Sequence, residues 1–485
     1  MVLFSLLMVL ICLNACSGAK ISDNVTVYVT TNDRAKDFVR SEIALGDKQA
    51  ASPCVITIDP SVRYQTMDGF GAAVDWVGDA DPYGIALLMA PEDRTAFLKE
   101  TFSDTEGMGY SYIRISIGCS DFSLSEYTCC DTKGVENFAL QSEEKEYVIP
   151  ILKEILAISP SIKILGSPWT CPRWMKVDNL KDLRPFESWT SGQLNPAYYQ
   201  DYATYFVKWI QAMEAEGIPI EAITPQNEPL NRGNSASLFM GWEEQLSFVR
   251  DALGPKLKET GLKTKIYAFD HNYNYDNMLE QQGYPMKIYE DENAASFLTG
   301  AAYHNYGGDR EELNNVNGKF PDKELIFTET SIGMWNDGRN LEKRLMEDME
   351  ETALGTVNNW CKAVIVWNLM LDNERGPNRE GGCQTCYGAV DIDRSDYKTI
   401  TRNSHYYIIG HLSSVVKPGA VRIGSKGYTA DGIMYSAFEN LDGTEALVLL
   451  NNTDEAKNIT VNSGERSFTY EVPAKAVASF RWNLY

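Results

Sequence analysis

The sequence predicts an α/β chain: a (β/α)8 TIM barrel with an attached antiparallel β-sandwich domain. Three observations predict it. Between about residues 66 and 410, short apolar strand-like runs alternate with longer helical stretches, the pattern of parallel strands joined by crossover helices. Before about residue 60 and after about 410, short β-type runs are separated by closely spaced turn residues, the pattern of an antiparallel sheet. The chain has 485 residues, which accommodates a barrel with long βα loops plus a smaller domain.

Residues 110–116, 162–167, 222–226, 265–269, 301–304, 324–328 and 363–367 read as barrel strands, and 69–71 supplies an eighth. Helical stretches at 143–158, 197–216, 242–252 and 341–359 lie between them. The outer β-type runs are 25–30 and 55–58 on one side and 446–450, 458–461 and 477–480 on the other. The organisation expected is a leader at 1–16, strands at 17–65 that contribute to the sandwich, a catalytic barrel at 66–410 and the sandwich proper at 411–485.

The net charge of −23 and a pI near 4.7 argue against nucleic acid as a partner, because phosphate binding needs a basic surface. They also disfavour an anionic membrane surface. A neutral glycan is compatible with this charge. At the start, residues 3–13 form an apolar run too short to span a bilayer comfortably. Leu13-Asn14-Ala15-Cys16 follows and resembles a bacterial lipoprotein signal, which implies lipidation of Cys16 as the first mature residue. No Lys or Arg precedes the run, and an ordinary cleaved signal is the alternative. Either reading exports the protein, to the cell surface or periplasm. The membrane is then touched only through a tether, and the body is expected to be monomeric.

Of the ten cysteines, two lie in the leader. Cys383-Gln384-Thr385-Cys386 has metal-type spacing, but a second such pair and metal-spaced histidines are missing, so no metal or cofactor is expected. An exported compartment permits disulfides, and the pairing stays open.

Barrel enzymes carry their chemistry where strands end. Gln226-Asn227-Glu228-Pro229 follows one strand and Thr328-Glu329-Thr330 another, 101 positions later. Three βα units of about 31 residues come to roughly 93, which places the two glutamates on strands four and seven of one mouth. Two carboxylates facing each other suit glycoside hydrolysis. One protonates the leaving oxygen, with its pKa raised; the other, ionised, attacks the anomeric carbon. Taken alone, Asn-Glu-Pro is weak evidence, since a Glu can simply cap a helix after a strand.

The chain resembles glycoside hydrolase family 30, which includes glucosylceramidases and β-1,6-glucanases. The resemblance is carried by Gly69-Phe70-Gly71-Ala72-Ala73, by Gly109 to Arg114 with Ser120-Asp121-Phe122-Ser123, and by Ser167-Pro168-Trp169-Thr170-Cys171-Pro172. Gln226 to Pro229, His304-Asn305-Tyr306, Thr328-Glu329-Thr330 and Trp367-Asn368-Leu369 with Gly376-Pro377-Asn378 complete it in order. It implies Glu228 as acid/base and Glu329 as nucleophile, with retention. It implies that Asp121, Trp169, Asn227 and Trp367 hold the glucose ring, and that Arg114 keeps Glu329 ionised. His304 and Tyr306 would line the site and orient the carboxylates, and Asn378 would join the pocket. Trp335, six residues past the nucleophile, suits stacking on a sugar in a leaving-group subsite. Competing structural readings are barrel core for Trp367, an ion pair for Arg114 and a satisfied buried imidazole for His304.

The acidic charge and the tether favour a polysaccharide, and an endo-β-1,6-glucanase is the substrate reading preferred. Glucosylceramidase or exo-β-glucosidase activity is the alternative, followed by a xylan-, fucose- or galactan-directed enzyme. A non-catalytic glycan-binding lipoprotein would be expected to lack one carboxylate, and both are present.

Overall fold

The computed structural model describes residues 24–48, 53–74, 85–123, 125–273, 278–377 and 379–484. The leader with Cys16, and Asn378, lie outside them.

Eight parallel strands form the barrel: β1 (Gly69–Ala72), β2 (Tyr112–Ser116), β3 (Lys163–Ser167), β4 (Ala222–Ile223), β5 (Lys265–Asn272), β6 (Gly300–His304), β7 (Glu324–Glu329) and β8 (Cys361–Val366). From β2 to β8 each pairs with the next, and β8 pairs with β1. The ring closes between β1 and β2 through a parallel bridge of Ala73 with Arg114 and the bonds Ser111 N–H to Phe70 O and Val74 N–H to Arg114 O, each 2.9 Å. The strands are covered on both faces and so read as near-continuous apolar runs, of which Cys361–Val366 is a clear case. Tyr112, Leu165, Ala222, Tyr267, Ala302, Ile326, Ala363 and Ile365 meet inside the barrel as a filled layer of mixed large and small side chains. That plug supports the mouth above it.

The outer helices follow the 3.6-residue period. In Tyr199–Ala215, Tyr202, Tyr205, Phe206, Trp209, Ile210 and Met213 are buried against the strands. Trp209 comes so close to β3 that a Cβ on Gly166 would stand 2.7 Å from its ring. The helical stretches expected near 143–158, 242–252 and 341–359 form with one widened turn each, at Glu144–Val148, Val249–Leu253 and Met349–Leu354.

The remaining strands build a ten-stranded ladder around a second core of Val25, Val27, Val29, Ile56, Ile58, Leu447, Leu449, Val461 and Phe480. Every pairing in it is antiparallel except that of Val55–Thr66 with Lys457–Ser463. The strand Asn24–Thr31 lies directly beside Ala476–Asn483. Helix Ser404–Ser413 joins the two bodies. Its His411 has no exposed surface and bridges Ser479 Oγ (2.8 Å) and Thr30 Oγ1 (2.9 Å). Among the described residues, no helix is long and apolar enough to cross a membrane.

Candidate active site

The ends of β4 and β7 deliver the two glutamates to one cleft. Glu228 follows β4 with φ of +42°, a backbone conformation that side chains other than glycine rarely adopt and that a surrounding structure must impose. Its N–H is tied to Asp270 O (3.0 Å). Glu329 is the last residue of β7. One carboxylate oxygen of each, together with His304 Nδ1, lies within 4.8 Å of the other two. The glutamates line a cavity of about 390 Å³ that is open to solvent, with Asp121, Trp169, Asn227, Tyr306, Trp335 and Trp367 among its walls. The sequence-derived site residues within the described chain are thus gathered in one place.

Each carboxylate is held from several sides. Glu329 Oε2 accepts from Arg114 Nη1 (2.6 Å) and Oε1 from the Tyr306 hydroxyl (2.9 Å). Glu228 Oε2 accepts from Asn231 Nδ2 (2.7 Å), and its Oε1 faces His304 Nδ1 (3.4 Å) and His271 Nε2 (3.8 Å). Arg114 also donates to Asn227 Oδ1 (2.7 Å), and its guanidinium lies 5.0 Å from the Trp169 ring centre. Trp169 and Trp367 meet at 5.2 Å, tilted by 36°. Trp335 is 53% exposed at the rim, so its face is open to a ligand.

His304 has no exposed surface. It sits beneath the carboxylates, 3.4 Å from Glu228 Oε1 and 3.9 Å from Glu329 Oε1, and presents no surface to a sugar. Cys16 and Asn378 fall outside the described residues.

The sequence reading missed Asp270. The β5 ladder slips between Phe269 and His271, and Phe269 and Asp270 both have φ near +70°. This bulge drops one residue out of pairing and turns its carboxylate inward. Asp270 Oδ2 accepts from Arg114 Nη2 (2.8 Å) and Thr224 Oγ1 (2.7 Å); Oδ1 accepts from Thr328 Oγ1 (2.6 Å) and lies 3.0 Å from His304 Nε2. Asn231 and His271 were missed as well. The polar run Asp270-His271-Asn272 at the end of an apolar strand is the signal that would have found two of these.

Electrostatics follow from this packing. Burial works to raise Asp270, but the adjoining Arg114 charge and the hydrogen bonds hold its carboxyl far below the usual range. Burial works to lower His304, but the Glu329 charge and the bonds to Asp270 and Glu228 push it up to about 9. Burial works to raise Glu228, but the His304 hydrogen bond, the His271 and His304 charges and Asn231 bring it down to about 2. Burial, with the charges of Glu228 and Asp270, raises Glu329 against the pull of His304 and Arg114. The packing thus lowers Glu228, expected to be raised as the acid, and raises Glu329, expected to stay ionised. The reason is position: His304 Nδ1 is nearer to Glu228 (3.4 Å) than to Glu329 (3.9 Å). Of this cluster, His304 is the group whose protonated form the packing favours. Glu228, His304 and Glu329 are also the group among the described residues with the spacing to hold a cation.

Residues 67–416 match the glycosyl hydrolase family 30 TIM-barrel domain, and residues 419–480 the β-sandwich domain of the same family. The chain belongs to glycosyl hydrolase family 30. This family 30 enzyme is similar to the solved endo-β1,6-glucanase BT3312, with 68% identity and a TM-score of 0.93 over 95% of this chain and 100% of that one. It is 31% identical to endo-1,6-β-D-glucanase BGN16.3 of Trichoderma harzianum, over 87% of this chain and 85% of that protein. It is 26% identical to the lysosomal acid glucosylceramidase of Mus musculus, over 91% and 87%. As a family 30 hydrolase it acts on carbohydrate.

Proposed function

We propose that this family 30 chain is a retaining endo-β-1,6-glucanase in which Glu329 is the nucleophile and Glu228 the acid/base. The observation that carries the chemistry is the approach of the two carboxylates within 4.8 Å across one sugar-sized gap. Groups about 5 Å apart leave no room for a water between carboxylate and sugar, so displacement proceeds through a covalent glycosyl-enzyme. The similarity to two endo-β-1,6-glucanases along nearly the whole chain supports the linkage.

The residues divide the work. Glu329 attacks the anomeric carbon while Arg114 and Tyr306 hold its two oxygens in place. Asn231 occupies Glu228 Oε2, leaving Oε1, the oxygen beside His304, to carry the proton. The imidazole passes its proton to Oε1 and the glycosidic oxygen takes it as the bond breaks. Once Glu329 is esterified its negative charge is gone, Glu228 becomes easier to deprotonate, and it draws a proton from the water that releases the sugar. Asn227, its oxygen bound by Arg114, turns its amide N–H toward the sugar 2-hydroxyl. Trp169 and Trp367 bound the ring, and Asp121 accepts its outer hydroxyls. The open rim with Trp335 suits a continuing chain more than a closed end. We also infer that Cys16 carries a lipid that tethers the exported enzyme, an anchoring that a Cys16→Ala variant would release into the soluble fraction.

The decisive assay compares products from a β-1,6-glucan, a β-1,3-glucan, the β-1,6-linked glucose disaccharide and glucosylceramide. Mixed oligosaccharides from the β-1,6-glucan are expected. Hydrolysis of glucosylceramide alone would overturn the reading.

A further inference from the structure

The Cys383–Cys386 disulfide stands in the wall of the catalytic cleft. Cys386 is buried against the aromatic cluster of Phe122, Trp169 and Trp367, and Cys383 is partly exposed beside it. The loop that contains them is fastened at both ends. On one side Arg379 donates to Ser123 O (2.9 Å) and Ser120 O (3.1 Å), and Gly382 packs so closely on Asp121 that a Cβ there would stand 2.0 Å from its carbonyl oxygen. On the other, Cys386–Tyr387 pairs antiparallel with Ile332–Gly333, three residues past Glu329, and Met334 N–H donates to Thr385 O (2.9 Å). Gly333 opposes Cys386 in that ladder, and the Trp335 ring folds over Gly333, where a Cβ would meet it at 2.0 Å.

The disulfide is therefore the hard surface between the inner aromatic pocket and the outer Trp335 face. We infer that the Cys383–Cys386 bridge is a substrate-binding element: with Trp335 it forms the wall of the subsite that receives the sugar on the leaving-group side of the scissile bond. A disulfide offers an apolar, polarisable surface suited to sugar C–H faces, and it denies the loop the freedom that two thiols would allow. The inference rests on the glucanase reading above, because that reading supplies the second sugar.

Two measurements test it. In the Cys383→Ser/Cys386→Ser enzyme, kcat/KM for a β-1,6-gluco-oligosaccharide relative to that for an aryl β-glucoside should fall about tenfold, mainly through KM. A ratio within twofold of the unsubstituted enzyme overturns the proposal. Should that variant fold poorly, the bridge is probed in Glu329→Gln protein with its free thiols first blocked. Dithiothreitol cleaves the S–S bond to two thiols and closes into its own cyclic disulfide, and the Cys383 and Cys386 thiols formed are followed by alkylation and peptide mass. Saturating β-1,6-gluco-oligosaccharide should slow that reduction at least fivefold, whereas glucose should not. Calorimetric binding of the oligosaccharide without protection overturns the wall alone; no binding and no β-1,6 cleavage by the unsubstituted enzyme overturns the glucanase reading and the wall together.

Discussion

Asp270 Oδ1 lies 3.0 Å from His304 Nε2 at the bottom of the cleft, and neither residue has exposed surface. The contact fixes which imidazole nitrogen points at Glu228. On the mechanism proposed above, Asp270 is then a positioning residue for the proton that the acid delivers.

Asp270→Asn should therefore lower kcat for every substrate and move the alkaline limb of the pH–rate profile downward. His304 is pushed up to about 9, so in the unsubstituted enzyme activity should be present below that value and lost as pH rises through it. Without the Asp270 charge that limb should fall by at least one pH unit. The same change leaves Arg114 short of a buried partner and should cost about 3–5 kcal/mol of stability, measurable by denaturant unfolding. A profile that keeps its limb near 9 in the variant would remove His304 as the proton donor.

Glu329→Gln should abolish turnover of all substrates. Glu228→Gln should retain measurable release of leaving groups that need no protonation, such as dinitrophenol, while losing about 10²- to 10⁴-fold on β-1,6-oligosaccharides. Equal losses on both leaving-group types, measured by initial rates, would contradict the roles.

Trp335→Ala removes a half-exposed ring that touches little of the core. Its stability should change by less than about 0.5 kcal/mol. kcat/KM for chain substrates should fall about five- to tenfold, the worth of one stacking contact. An unaltered value for a long β-1,6-glucan would take Trp335 out of the binding path.

Acid should unfold this protein through its histidines. Burial holds His271 and His405 down at about 4 and His411 at about 3, against 6.5 when solvated. Below 6.5 the unfolded chain binds protons that the folded one refuses. The stability that these three histidines contribute is therefore full above that pH and declines as pH falls toward the folded values, by about 1.4 kcal/mol per unit for each. His411→Gln should show a shallower fall of Tm between pH 6.5 and 4 than the unsubstituted protein, by calorimetry.

Much of this site is legible in the residues themselves. Asn227-Glu228 and Glu329 are legible at strand ends because apolar residues precede them, Ala222–Ile223 before the first and Leu325 to Phe327 before the second, in the pattern of barrel strands covered on both sides. Arg114 is legible through the family motif that holds it, Gly109 to Arg114, and a cation inside the run Tyr112–Ser116 is consistent with a buried anion beside it. What the pattern conceals are departures from periodicity. Asp270 reaches the cleft through a bulge, and no alternation of polar and apolar residues marks where a ladder will slip. Asn231 acts from an irregular loop, where spacing says nothing about direction. The two cysteines of the CxxC run are visible as a pair, but that they close on each other beside Glu329 depends on a strand of two residues against Ile332–Gly333.

The neighbouring of Asn24–Thr31 and Ala476–Asn483 bears on biogenesis. Ala476–Asn483 sits between Asn24–Thr31 and Thr444–Asn451 in the ladder, so until it emerges from the ribosome or translocon a gap separates these two strands. During synthesis the hairpin of Asn24–Thr31 with Val39–Ala44 must wait with one backbone edge lacking its final partner, the kind of edge that invites pairing with other chains.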